Sequence, residues 1–165
     1  MSVLKRYVVR IVCGDRALQV PNSEPGKDLT LEKIEPGSAV PTRQKWIIEG
    51  TEHASMERVG NELRVDARHD ARVEFRSCLF RQQMFLVRAR DAAKRWQAVA
   101  QVPPVRSELA RWQTESTARG VMIFAEHAGA RLGECVYLGS EDGGAVLRDY
   151  SAGEGPVWTL QVLDS

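Results

Sequence analysis

Short strand-like pieces recur along this chain in the same order, and each series closes on a tryptophan. The first series holds Tyr7-Val8-Val9-Arg10-Ile11, Ala17-Leu18-Gln19-Val20, Leu29-Thr30-Leu31 and Gln44-Lys45-Trp46-Ile47-Ile48. The last holds Val121-Met122-Ile123-Phe124, Val136-Tyr137-Leu138, Ala145-Val146-Leu147 and Val157-Trp158-Thr159-Leu160-Gln161-Val162. Internal repetition of this kind outranks local propensity as a guide to fold. Between the pieces lie turn formers: Cys13-Gly14-Asp15, Pro36-Gly37, the run from Gly139 to Gly144, and Gly153-Glu154-Gly155-Pro156. Short strands punctuated in this way predict an all-β sandwich or barrel.

The middle series is weaker. Its pieces are Leu63-Arg64-Val65, Arg72-Val73-Glu74-Phe75, Met84-Phe85-Leu86-Val87 and Trp96-Gln97-Ala98-Val99, whose alternation suits strands with one buried face. The repeats then cover about 5–52, 56–101 and 119–165, with Trp46, Trp96 and Trp158 as equivalent core tryptophans. A competing pattern runs through the same stretch. Phe85, Ala89, Ala92, Trp96 and Val99 also recur at helical spacing, and a helix over about 81–101 would make the fold α+β. After Pro103-Pro104, the stretch from Val102 to Arg119 reads as an insertion with a short helix near 105–117. Ser107 would cap this helix, and Leu109 and Trp112 would share one side.

With 165 residues, the chain suits one domain with one core, spanning 1–165. Lys and Arg number 23 against 22 Asp and Glu, so no global charge calls for nucleic acid or an anionic membrane. The arginines between Arg64 and Arg95 are interrupted by Asp66, Asp70, Glu74 and Asp91, as on a solvated face. The apolar stretch Tyr7 to Cys13 is short and broken by Arg10, unlike a secretion signal or a membrane span. Cys13, Cys78 and Cys135 are an odd set without CxxC spacing, which predicts free thiols in a reducing, cytoplasmic setting and no metal.

Enzyme signatures are missing from the sequence: there is no Gly-x-Ser-x-Gly elbow, phosphate-binding glycine loop or His-Glu-x-x-His helix. His53, His69 and His127 are scattered, and Glu126-His127 falls in a strand-like segment where neighbouring side chains point to opposite faces. The reading is a non-enzymatic binding protein without cofactor.

Three four-stranded units closing on a tryptophan resemble a β-trefoil, in which six strands form a barrel and three hairpins cap one end. Tyr7-Val8-Val9-Arg10-Ile11-Val12, Gly14-Asp15-Arg16-Ala17-Leu18 and Gln44-Lys45-Trp46 look like two families of that fold, the mushroom serine-protease inhibitors and the ricin-B-like lectins. The first are cytoplasmic defence proteins of fungi. That resemblance implies an inhibitory loop, and Asn22 to Asp28 supplies one, with Pro25, Gly26, Lys27 and Asp28 as its working residues and Lys27 for a trypsin-like pocket with an acidic floor. Arg131 is the alternative from another loop.

The lectin resemblance implies a sugar pocket built from an Asp, an aromatic platform and the Gln of a Gln-x-Trp motif. Gln44, Asp66 and Tyr137 are the residues that match, but no repeat keeps all three. Gln19-Val20 replaces the Asp step in the first repeat, Lys94 replaces the Gln in the second, and Pro156 stands there in the third. A galactose-type pocket is therefore not expected. The expectation is a trypsin-like protease inhibitor, with a non-galactose carbohydrate-binding protein or an intracellular interaction scaffold as alternatives.

Overall fold

A computed structural model of the chain describes residues 5–21, 26–51, 53–79, 84–90, 92–93, 95–102, 105–126, 135–149 and 156–163. Among these residues the regular structure is strand, apart from one turn of α-helix and one 3-10 turn. No helix among them is long and apolar enough to cross a membrane. The chain opens with β1 (Arg6–Cys13), β2 (Arg16–Gln19), β3 (Thr30–Lys33) and β4 (Trp46–Gly50). A hairpin of β5 (Ser55–Val59) and β6 (Glu62–Asp66) follows. Next come β7 (Val73–Ser77), β8 (Phe85–Arg90), β9 (Trp96–Gln101), helix α1 (Ser107–Ala110) and β10 (Gln113–Thr117). The last strands are β11 (Gly120–Ala125), β12 (Val136–Glu141), β13 (Gly144–Arg148) and β14 (Thr159–Val162).

Period-2 burial is clearest on β1, β4, β6, β13 and β14. Trp46, Ile48 and Gly50 are buried on β4, and Leu63 and Val65 on β6, while the residues between them face outward to varying degrees. Six strands pair in a series that returns to its start. β1 pairs β4, β4 pairs β7, and β10 pairs β11. β14 pairs β1, all antiparallel. The two remaining links are single bridges, Val73 with Trp112 and Val121 with Trp158. Each is a reciprocal backbone pair, at 2.9 Å in both directions for Val73 and Trp112 and 2.8 Å for Val121 and Trp158. Val9 faces Trp46 in the same way on β1 and β4.

The same three tryptophans fill the middle of the core. Trp46, Trp112 and Trp158 are each under 2% exposed, and each indole N–H donates to a leucine carbonyl. The acceptors are Leu18 at 3.0 Å, Leu86 at 3.0 Å and Leu138 at 2.8 Å. A buried indole keeps its large apolar area only if its N–H is satisfied, so these bonds fix ring and strand together. The tryptophan equivalent to Trp46 and Trp158 is thus Trp112, and the assignment of that role to Trp96 is corrected.

Three hairpins, β2–β3, β8–β9 and β12–β13, are laced to one another. Gly144 bridges Thr30, Val146 bridges Gln97 and Asp28 bridges Val99. In the β12–β13 turn Asp142 and Gly143 take φ 52° and 76°, as a primed two-residue turn requires, and the Asp-Gly pair supplies it. The β5–β6 hairpin lies outside this scheme and leans on β14 through Glu62 and Gln161. Leu63-Arg64-Val65 therefore belongs to an added hairpin, which corrects its reading as the opening strand of the middle repeat.

One alternative falls here and one expectation holds only in part. The helix over 81–101 is replaced by β8 and β9, with a turn at Ala92 and Ala93 between them. Both faces of β8 are covered: Leu86 packs in the main core, while Val87 joins Val99 and Ala110 in a second apolar cluster under α1. Apolar residues on both faces fit either period. The helix near 105–117 is a single turn, and the cap position is Arg106, not Ser107, with no side-chain cap bond. Residues 113–117 form β10 instead.

Candidate functional site

Where the hairpins meet, the ends of β3, β9, β12 and β13 enclose a cleft of about 650 Å³. Its walls are apolar at Leu29, Val136 and Leu147 and polar at Asp28, Gln97 and Asp149. Trp96 stands in this wall, half-buried, with the Arg90 guanidinium 4.5 Å from its ring centroid. Such a cation–π contact holds the ring in one orientation at a modest energetic gain, about 0.5–1 kcal/mol at an exposed site. Arg148 is fixed at the rim by an ion pair with Glu141 at 3.1 Å. Aromatic ring, carboxylates, amide and guanidinium are thus set on paired strands, which hold side chains more firmly than free loops do.

The limb leading into this cleft carries the residues expected of an inhibitory loop. Gly26 N–H donates to the Ala100 carbonyl at 2.7 Å and Leu29 N–H to the Ala98 carbonyl at 3.1 Å. Lys27 and Asp28 lie between these anchors with exposed side chains, and Asp28 also lines the cleft. Gly26 has φ +79°, and a Cβ there would press on the Gln101 carboxamide at 3.3 Å, so glycine suits the anchor on both counts. Pro25 and Arg131 lie outside the described residues, as does His127.

The three residues expected to hold sugar have separate partners. Gln44 is 3% exposed and its amide donates to Gln19 at 3.3 Å, so it acts as a buried link between elements. Asp66 ends β6 and accepts the Ser116 N–H at 2.9 Å. Tyr137 on β12 stacks on Phe124 with ring centroids 5.1 Å apart. Desolvation raises the Tyr137 phenol above its usual pKa, and the neighbouring Cys135 adds to the shift. Cys135 itself lines the cleft, and burial likewise raises its thiol. Among the described residues Cys13, Cys78 and Cys135 are unbridged, and no three His, Cys, Asp or Glu side chains cluster as metal ligands.

The structure brings together Asp28, the tryptophan that the sequence reading assigned to the core, Trp96, and three residues it did not single out: Gln97, Arg148 and Asp149. Nothing local marks Trp96 as a cleft residue, because it opens a strand with the same apolar alternation as a core tryptophan. The useful signal was the excess of tryptophans over repeats. The sequence matches no protein-family model and no curated protein.

Proposed function

We propose that the chain is a β-trefoil binding protein without enzymatic activity, and that it holds a saccharide in the cleft among its three hairpins. The fold reading is supported by the six-strand series that returns to β1 and by the three matched tryptophan–leucine bonds. The ligand reading is carried by Trp96, a ring pre-set by Arg90 in the wall of a cleft large enough for a small saccharide. A sugar presents an apolar face for stacking and a rim of hydroxyls. Asp28 and Asp149 can accept from those hydroxyls, and Gln97 and Arg148 can donate to them. Gln44, Asp66 and Tyr137 are each engaged by other protein groups, which argues against a galactose-type pocket.

The test is a glycan array followed by titration calorimetry with the best ligand. Trp96→Ala should weaken binding about thirtyfold or more, the scale of a buried aromatic hot spot worth about 2 kcal/mol. An array without hits, or a Trp96→Ala protein that binds as well as wild type, overturns the saccharide reading.

A second reading, a trypsin-like protease inhibitor working through Lys27, is favoured by the two backbone anchors around that residue. Ordering Gly26–Leu29 during folding reduces the entropy lost on binding. Lys27→Ala should then weaken trypsin inhibition by about 2–5 kcal/mol with an unchanged melting temperature, because an enzyme carboxylate would be left buried without its partner. Wild-type protein that leaves trypsin fully active at micromolar concentration excludes this reading.

A further inference from the structure

A second cleft, of about 410 Å³, opens beside α1 and shares no lining residue with the first. Its charge is uneven. Arg72, Arg88, Arg111 and His69 line it against Asp70 and Glu108. Glu108 is paired with the Arg106 guanidinium at 2.6 Å, and the exposed Asp70 carboxylate lies 3.6 Å from the His53 imidazole.

Two of its polar side chains, Arg88 and Gln113, are buried, while Ser107 and Arg111 are exposed. Arg88 is 2% exposed; it donates to the Arg111 carbonyl at 2.6 Å and to the Glu108 carbonyl, and stacks 4.8 Å from the Trp112 ring centroid. Desolvation pulls its guanidinium down to about 10, Arg72 lowers it further, and Glu108 opposes them. Gln113 is 3% exposed and accepts the Glu126 N–H at 2.8 Å through its side-chain oxygen. Its NH2 group and the Ser107 hydroxyl have no hydrogen-bond partner among the described residues, and the exposed Arg111 guanidinium interacts electrostatically with Glu108. The rim is also strained: His69 sits at φ 59°, with its carbonyl held by Arg72 at 2.6 Å. A non-glycine residue in the left-handed region persists only where its surroundings hold it there, and such residues gather at ligand sites.

We propose that this cleft binds a tetrahedral oxyanion, the phosphate or sulfate group of a small molecule. Three guanidiniums supply the charge, and Ser107, Gln113 and Arg111 supply directed donors for the oxygens. The proposal is independent of the saccharide reading, because the two clefts have no residue in common.

The probes are inorganic phosphate and inorganic sulfate, titrated separately into the full chain at low ionic strength and followed by calorimetry and amide NMR shifts. Saturable binding at or below millimolar concentration is expected for at least one ion, with shifts centred on Ser107, Arg111 and Gln113. Phosphate alone, sulfate alone or both would assign the ester class and uphold the site. Arg111→Ala should weaken binding at least tenfold while leaving the melting temperature unchanged, because Arg88 uses the Arg111 backbone and not its side chain. Gln113→Glu keeps the acceptor for Glu126 and places a negative charge where the NH2 stood, so it should abolish binding. Arg148→Ala, in the other cleft, should bind as wild type does. No saturation by either ion, or equal binding by Arg111→Ala and Gln113→Glu, overturns the proposal.

Discussion

Trp112 and Trp96 lie close in sequence and do opposite work. Trp112 is sealed in the core, donates to the Leu86 carbonyl at 3.0 Å, and joins β7 to the start of β10 through its backbone. Trp96 is half-buried in the wall of the cap, beneath an arginine. The strand series with its three sealed tryptophans is a stability device, and the hairpins carry a half-open ring in a cleft wall, where the proposed saccharide would stack. Residue type does not separate the two roles. The burial of the ring does: Trp112 is sealed and Trp96 is half-buried.

The largest expected effect sets these regions apart directly. Trp112→Ala should cost about 3–5 kcal/mol, as truncations of buried large aromatics do, and Trp46→Ala and Trp158→Ala should match it. Trp96→Ala should lie within about 1 kcal/mol of wild type, since it removes a half-buried ring and one cation–π contact. Equilibrium urea unfolding measures all four, and a Trp96 cost equal to the others would dissolve the distinction.

Gly120→Ala should come next, at about 1–3 kcal/mol. Gly120 has φ +150°, and a Cβ there would lie 2.7 Å from the Trp158 carbonyl oxygen, beside one of the two single-bridge links. The same denaturation series reads it, and a neutral result would mean that the β11 to β14 link tolerates displacement.

The smallest effect has the opposite sign. The Thr114 hydroxyl is buried on β10 without a hydrogen-bond partner. Thr114→Val removes the stranded polar atom at nearly the same shape and should raise stability by about 1 kcal/mol. A loss of stability would place an ordered water on that hydroxyl.

The strand content and the outer two tryptophans were legible in the sequence because β4 and β14 alternate apolar residues beside Trp46 and Trp158, and β11 is a short continuous apolar run bounded by turn formers. β10 was not. Its sequence, Gln113-Thr114-Glu115-Ser116-Thr117, contains no apolar residue, yet Gln113 and Thr114 are buried and the strand is held by five backbone-paired positions on β11. A strand held by backbone pairing leaves no hydrophobic period to read, so Trp112 was read into the short helix of the insertion. The β8 segment is the strand the alternation suggested, and its competing helical period arose because α1 buries its second face. At the cap, the Asp28 limb was visible from its Pro and Gly residues. The cleft was not, because it is assembled from the ends of separate hairpins that only tertiary pairing brings together.

The central claim, that Trp112 and not Trp96 is the third member of the sealed set, is tested most directly by unfolding Trp112→Phe and Trp96→Phe side by side. Phenylalanine keeps most of the ring but loses the indole N–H. The account predicts a loss of about 1–3 kcal/mol for Trp112→Phe, which leaves the buried Leu86 carbonyl without its donor, and a change below about 1 kcal/mol for Trp96→Phe. Equal losses, or a larger loss at Trp96, would contradict it.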